Sequence, residues 1–437
     1  MSTRRPIGTL GLLAIIFFTV SGGPYGLEPL VGSLGGARSL VLLLAVPLLW
    51  SLPVALMAAE LSAAMPVLGG YYQWVRRAMG DFWGFQEGWW SWLFTWVDMP
   101  LYPVLCGEIL RDAWPVFTGR ALSGAHTLLF VMAFIWGAAL LNWSGARVVA
   151  GWSVAATIAV LAPFVAFIVR GAPGAHPLAA LPTAPGAGAA AWAVGLSTVM
   201  WNYAGWDNTS TFAPDVRHPQ HAYPRALFAA LVLITAFYVG SVWTGLRLDP
   251  IAAHWRNGYF VQLGARVLGP RIAAIMAVTA LVSAWTQYTS QLVYVLPLPA
   301  SLALDGFLPR RLAAANARGI RTPALLLCSL LFSVFALASF AHLVVADVLL
   351  YSVGLTLEFA ALVLLRRRGD AAEGFRVPLR GASLVAMCAA PLLLAAVNLG
   401  VAISQDRLFT LIALAMLASG PLCWRLARRP TAAAVGV

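Results

Sequence analysis

Val20-Ser21-Gly22-Gly23-Pro24-Tyr25-Gly26-Leu27-Glu28 lies inside an apolar run over residues 7–33. Trp201-Asn202-Tyr203-Ala204-Gly205-Trp206-Asp207-Asn208 lies inside another, over residues 190–214. The first stretch in particular is built to interrupt a helix. Glycine costs about 1 kcal/mol in a helix interior, and proline lacks the N–H and clashes with the preceding turn. In hydrocarbon the freed carbonyls need new partners, so interrupted helices persist where they line protein or a water-filled cavity. The two breaks are five apolar runs apart. An odd number of spans per half inverts the second half relative to the first, and breaks at matching positions of an inverted repeat mark a binding site.

The remaining apolar runs cover residues 38–65, 82–111, 124–143, 147–170, 225–246, 268–298, 322–342, 345–366, 383–404 and 407–426. Roughly 20 apolar residues cross a hydrocarbon core, so the expected fold class is an all-α integral membrane protein with about twelve transmembrane helices. Composition agrees: of 437 residues, 61% are hydrophobic and 10% charged, against about 25% charged in soluble domains. The net charge of +12 would suggest nucleic acid in a soluble protein. Here all 28 basic residues are arginine. With a cytoplasmic N-terminus most of them fall inside, among them Arg76, Arg77, Arg310, Arg311, Arg318, Arg321 and Arg366 to Arg368. That bias follows the positive-inside rule and puts both termini in the cytoplasm.

The expected organisation is a cytoplasmic N-terminus (1–6), a first five-helix repeat (7–170), an external connection (171–189), a second inverted repeat (190–368), and two peripheral helices with a cytoplasmic tail (369–437). Residues 249–268 read as a short amphipathic external helix able to act as a lid, and 66–81 and 305–321 as cytoplasmic connectors. The chain is expected in a bacterial inner membrane, surrounded by lipid, as a monomer or weak homo-oligomer, with no nucleic-acid partner. The four cysteines are far apart in apolar runs and read as small core residues.

Acids inside the spans carry most of the functional information. Glu28, Glu60, Glu87, Asp98, Glu108, Asp207 and Glu358 all fall within apolar runs, with no arginine deep in any span. A carboxylate at membrane depth costs at least about 2.5–3.5 kcal/mol, so it marks function or a partner. Such an acid holds a proton or pairs with a cation that comes and goes. Asp98 is near the middle of its span, Glu28 follows the first break and Asp207 belongs to the second. These three, with Ser21, Gly22, Gly23, Tyr25, Gly26, Trp201, Asn202, Tyr203, Gly205 and Trp206, form the candidate solute site. The aromatics can meet an amine by cation–π contact, or simply pack. Glu28, Asp98, Asp207 and Glu60 are the candidate proton carriers. For Glu60 and Glu87 the competing reading is an interfacial salt bridge, with Arg76 or Arg77 as partner.

Enzyme chemistry finds little support. With no lysine there is no Walker A loop and no Schiff base, and the six histidines lie in loops or at span ends. No metal site and no organic cofactor are expected.

At these residues the chain resembles the amino acid–polyamine–organocation superfamily, most nearly its polyamine-uptake and L-amino-acid transporter branch. The resemblance rests on Val20 to Glu28, Ala59-Glu60-Leu61, Gly69-Gly70-Tyr71, Phe82 to Trp89 continuing to Asp98, Leu101 to Leu105, Trp201-Asn202, Trp206-Asp207, Pro219 to Pro224, Asp305-Gly306 and Thr322-Pro323. It implies a leucine-transporter-like fold with helices 1 and 6 broken, alternating access, and symport or exchange of amino acids or polyamines driven by protons. It places Gly22, Gly23 and Gly26 against the solute and Asp98 and Asp207 beside a cationic group. Some proton-coupled relatives keep a lysine in the fifth helix, whereas 148–169 holds no basic residue here. Coupling would then fall to a carboxylate, or Ser283, Thr286, Thr289 and Ser290 would help hold Na⁺. A nutrient sensor on the same fold and a sodium-coupled neutral amino acid transporter are the alternative functions.

Overall fold

The computed structural model of the protein describes residues 6–171, 188–316, 318–338, 340–369, 374–405 and 407–427. Most of the expected external connection (171–189) and much of the C-terminal tail lie outside the described residues. Among those described, the chain is helical. Isolated β-bridges join Ile7 with Val216 and Leu68 with Phe212.

The first apolar run becomes α1 (Thr9–Val20) and α2 (Glu28–Leu34), separated by the glycine-rich stretch. Helices α3 (Gly36–Val46) and α4 (Leu52–Ala64) form one continuous rod through a π-turn at Pro47–Ser51. Pro47 has no N–H to donate, and the wider turn carries Trp50 toward the interior. An amphipathic helix, α5 (Tyr71–Met79), stands where the sequence suggested only a connector. Then come α6 (Asp81–Thr118), α7 (Gly124–Trp143) and α8 (Ala146–Gly171). The second interrupted run gives α9 (Ala189–Trp201) followed by irregular and 3₁₀ backbone to Asp215. Helix α10 (Pro219–Leu248) leads to α11 (Tyr259–Leu268), α12 (Pro270–Val295) and α13 (Pro297–Leu304). The chain closes with α14 (Thr322–Phe335), α15 (Phe340–Arg367), α16 (Gly381–Gln405) and α17 (Arg407–Leu426).

Five of these elements are long and apolar enough to cross a membrane: 36–64, 124–143, 146–171, 219–248 and 270–304. Shorter apolar helices accompany them. Their outward residues are apolar too: Leu140, Ile158 and Val232 are all more than 60% exposed. A soluble bundle would hide such residues, whereas a lipid-facing surface presents them. The protein is a multi-pass membrane protein.

Ion pairs tie the connectors together at one end of the bundle. Arg76 reaches Asp81 at 2.6 Å and Asp305 at 2.7 Å, and Arg368 donates to the Arg77 carbonyl at 3.1 Å. Glu60 is buried against Arg366, whose Nε lies 2.7 Å from Oε1, and it also accepts the Val377 N–H at 2.7 Å. Its partner is therefore an arginine 306 residues away, not Arg76 or Arg77.

At the other end, α11 folds over α2. Glu28 accepts N–H groups from Gly26 (2.9 Å) and from Gly258 (3.2 Å), the N-cap of α11. Beside it, Asp249 accepts from Tyr259, from His254 at 2.8 Å, from the Ile251 N–H at 3.0 Å and from Arg266 at 3.3 Å. Burial would raise its pKa, but the Tyr259 and His254 hydrogen bonds win and hold it at about 2. An acid depressed in the folded state adds stability that is complete above its unfolded pKa of about 3.9 and is lost as pH falls through the folded value. The clasp is thus expected to stay shut at pH 5 and loosen between pH 4 and 2. Hydrogen-exchange protection over residues 252–268, relative to the intrinsic rate at each pH, should be the same at pH 7 and pH 5 in the parent, and lower at both in Asp249→Asn.

Candidate functional site

The two interrupted segments meet. Tyr238 of α10 bridges them: its hydroxyl lies 2.7 Å from Ser21 Oγ and 3.1 Å from the Asn202 carbonyl oxygen. Ser21 Oγ also accepts the Gly23 N–H at 2.9 Å. The Gly22 carbonyl takes the Ser283 hydroxyl of α12. On the other segment, the Gly205 N–H donates to the Tyr351 hydroxyl at 3.1 Å, and Tyr351 donates to Asp207 Oδ1 at 2.6 Å. Gly22 and Gly205 have φ of 80° and 92°, a backbone region that other residues enter at a cost. Neighbouring helices thus supply partners for backbone that the breaks leave without helical ones.

Between the segments is a cavity of about 40 Å³. Its walls include Ser21, Asp98, Trp201, Asn202 and Gly205, five of the thirteen residues expected there. Gly22, Gly23 and Gly26 shape the turn behind it. Tyr25, Tyr203 and Trp206, expected as possible walls, point elsewhere. Tyr25 bonds the Met276 carbonyl at 2.7 Å, Tyr203 the Leu43 carbonyl at 3.3 Å, and the Trp206 indole the Tyr203 carbonyl at 2.8 Å. Each ring is amphipathic and finds a carbonyl partner within the bundle. Glu28 is outside the cavity, in the clasp under α11, and Asp207 is behind it.

Residues that the sequence reading did not place here complete the walls. Tyr102 stacks near Trp201 with ring centres 6.1 Å apart and accepts from Gln291 at 2.5 Å. Trp50 and Tyr351 close the floor. Most telling is Asp347, which shares the cavity with Asp98; each is 5% exposed, and their charges oppose each other. The sequence reading starts the tenth span at 345, so Asp347 looks terminal. The helix begins at Phe340 and puts this acid two turns inside.

Asp98 and Asp347 form one of two acid rungs. On α6, Glu87 and Asp98 are eleven residues apart, and on α15 so are Asp347 and Glu358. Eleven residues make about three turns, so each pair is on one face of its helix. The helices pack antiparallel, which sets Asp98 near Asp347 and Glu87 near Glu358. The Glu87 carboxylate rests against Gly354, 3.2 Å from where a Cβ would stand.

The hydroxyls considered for Na⁺ are engaged within the protein. Ser283 bonds Gly22, and Thr286 takes the Trp152 indole N–H at 2.9 Å. Thr289 bonds the Thr286 carbonyl at 3.0 Å, and Ser290 meets Ser153 at 2.8 Å. Glu60, a candidate proton carrier, is held in its ion pair.

A family model described as amino acid permease matches residues 7–418. The chain belongs to the amino acid permease family. The permease is 34% identical over 430 residues to polyamine transporter PUT1 of Oryza sativa subsp. japonica, covering 95% of this chain and 77% of that protein. It is 33% identical over 403 residues to polyamine transporter RMV1 of Arabidopsis thaliana, covering 89% and 79%. The permease is a membrane transporter, not an enzyme.

Proposed function

We propose that the permease carries small cationic amines, polyamines among them, by alternating access coupled to protons. The observation that carries this reading is the Asp98–Asp347 pair: two buried carboxylates on one cavity, walled by Tyr102, Trp201 and Trp50. A desolvated ammonium needs a counter-charge, and aromatic faces add cation–π attraction. The names of the two plant relatives point the same way. The site suits one end of a slender amine better than a zwitterion, whose carboxylate would face two acids. In alternating access, loading requires α1, α2 and the segment after α9 to move, as halves of two broken spans in a twelve-helix, inverted-repeat transporter would. Protons are favoured over Na⁺ because buried acids abound around the interrupted segments.

Purified permease in liposomes, given radiolabelled putrescine and an inward proton gradient, should accumulate it, and dissipating the gradient should abolish the accumulation. Uptake that requires Na⁺ and ignores the proton gradient would refute the coupling. Saturable binding with no flux would make the permease a sensor.

A further inference from the structure

We propose that Glu87, Asp207 and Glu358 form a proton-holding site separate from the solute cavity, with Tyr351 as the link between the two. The inference rests on the proton-coupled reading above and assigns the proton's place. The three acids are 0%, 2% and 2% exposed and come from three different elements. Asp207 and Glu358 lie close enough for their charges to act on each other, and Glu87 acts on both. Three carboxyl groups buried side by side are costly to ionise together, so the cluster favours holding a proton. Independently, Oε2 of Glu87 and Oε2 of Glu358 are buried with no hydrogen-bond partner among the described residues, each a seat for a proton.

Among the described residues, no cation explains the cluster. Its other titratable neighbours are Tyr71 of α5 and Tyr351 of α15, and Tyr294 of α12 lies near Asp207. Ser91 donates to Glu87 Oε1 at 2.8 Å. None of the described arginines or histidines acts on the three acids. A fixed salt bridge, the ordinary reason for a buried carboxylate, is therefore missing, unlike at Glu60.

The site is also in the right place. Glu87 is about 16 Å along α6 from Asp98, toward the end where Arg366 and Arg76 gather, and none of the three acids lines the cavity. Tyr351 does line it, while donating to Asp207 and accepting the Gly205 N–H. When Asp207 is ionised it accepts the Tyr351 hydroxyl's hydrogen bond and holds that hydroxyl, and with it the Gly205 turn, in place. When Asp207 is protonated it can no longer attract that donor as strongly, and the turn is freed. In transport, one proton leaves water on one side, forms an O–H bond on a cluster carboxylate, and returns to water on the other side. No other bond changes.

The test uses Glu87→Gln and Glu358→Gln in liposomes, with putrescine as probe and a trapped pH dye. Both variants should bind putrescine and perform gradient-free counterflow within about threefold of the parent. Gradient-driven accumulation should fall at least tenfold, and putrescine-driven proton flux should vanish. If the parent moves protons with putrescine and both variants do so as well, the assignment fails while the coupled reading stands. If the parent itself moves none, both fail. Should a glutamine variant not fold, infrared difference spectra of the parent decide. Loss or gain of a protonated carboxyl band on putrescine binding, unchanged in Asp98→Asn liposomes loaded to saturation, supports the cluster; a band that disappears with Asp98→Asn assigns the proton to the cavity instead.

Discussion

Asp98→Asn is expected to reduce putrescine affinity at least 100-fold, and Asp347→Asn to act in the same direction. Removing one partner of a buried charge pair costs about 3–5 kcal/mol, and every 1.4 kcal/mol is tenfold in affinity. Asparagine matches aspartate in shape, so the cavity between the interrupted segments survives, but its amide turns a donor toward the ammonium. The double variant should show no measurable binding. On the proposed reading both acids are needed, because they face one cavity from antiparallel helices and would share the solute's charge. Equilibrium binding in detergent checks this directly. Parent-like putrescine affinity in both single variants would remove the acids from recognition.

The second large effect concerns the first break. Gly22→Ala should give a folded, membrane-inserted protein with at least about 100-fold less putrescine uptake, because a side chain at positive φ is strained by about 1–2 kcal/mol before any contact is counted. Contacts make it worse. A Cβ on Gly22 would stand 2.2 Å from Gln287 Nε2 and 2.8 Å from Ser283 Oγ. Gln287 lines the cavity and Ser283 holds the Gly22 carbonyl, so both would be displaced. Gly23→Leu should behave likewise, since its Cβ would meet Val160 at 2.9 Å with φ at 98°. Gly137→Ala, in open space on α7, is the control and should transport normally. Parent-like uptake by Gly22→Ala would mean that the turn does not need its present shape.

The breaks were legible because they are local: Gly22-Gly23-Pro24 and the Gly205 turn announce themselves in a few residues. The same holds for Asp98, which depth along its run places near the middle of the membrane. What stayed hidden depends on packing between distant segments. The partner of Glu60 is Arg366, fixed by how α4 meets α15, and neighbouring Arg76 was the nearer candidate by sequence. Glu28 looked like a site acid because it follows the break, yet its carboxylate turns to the Gly258 N–H across 230 residues. The aromatics divide for the same reason: Trp201 faces the cavity, while Tyr203, two residues on, faces α3. One pattern was readable in hindsight. The eleven-residue spacing of Glu87 and Asp98, and of Asp347 and Glu358, is helical arithmetic, but the boundary drawn at residue 345 concealed it.

The central claim, that this permease selects a cation through the Asp98–Asp347 pair, is tested most directly by competition. Unlabelled putrescine and leucine are set against radiolabelled putrescine on the purified parent protein. The account predicts displacement by putrescine and at least 100-fold weaker displacement by leucine. Leucine displacing as well as putrescine would contradict it.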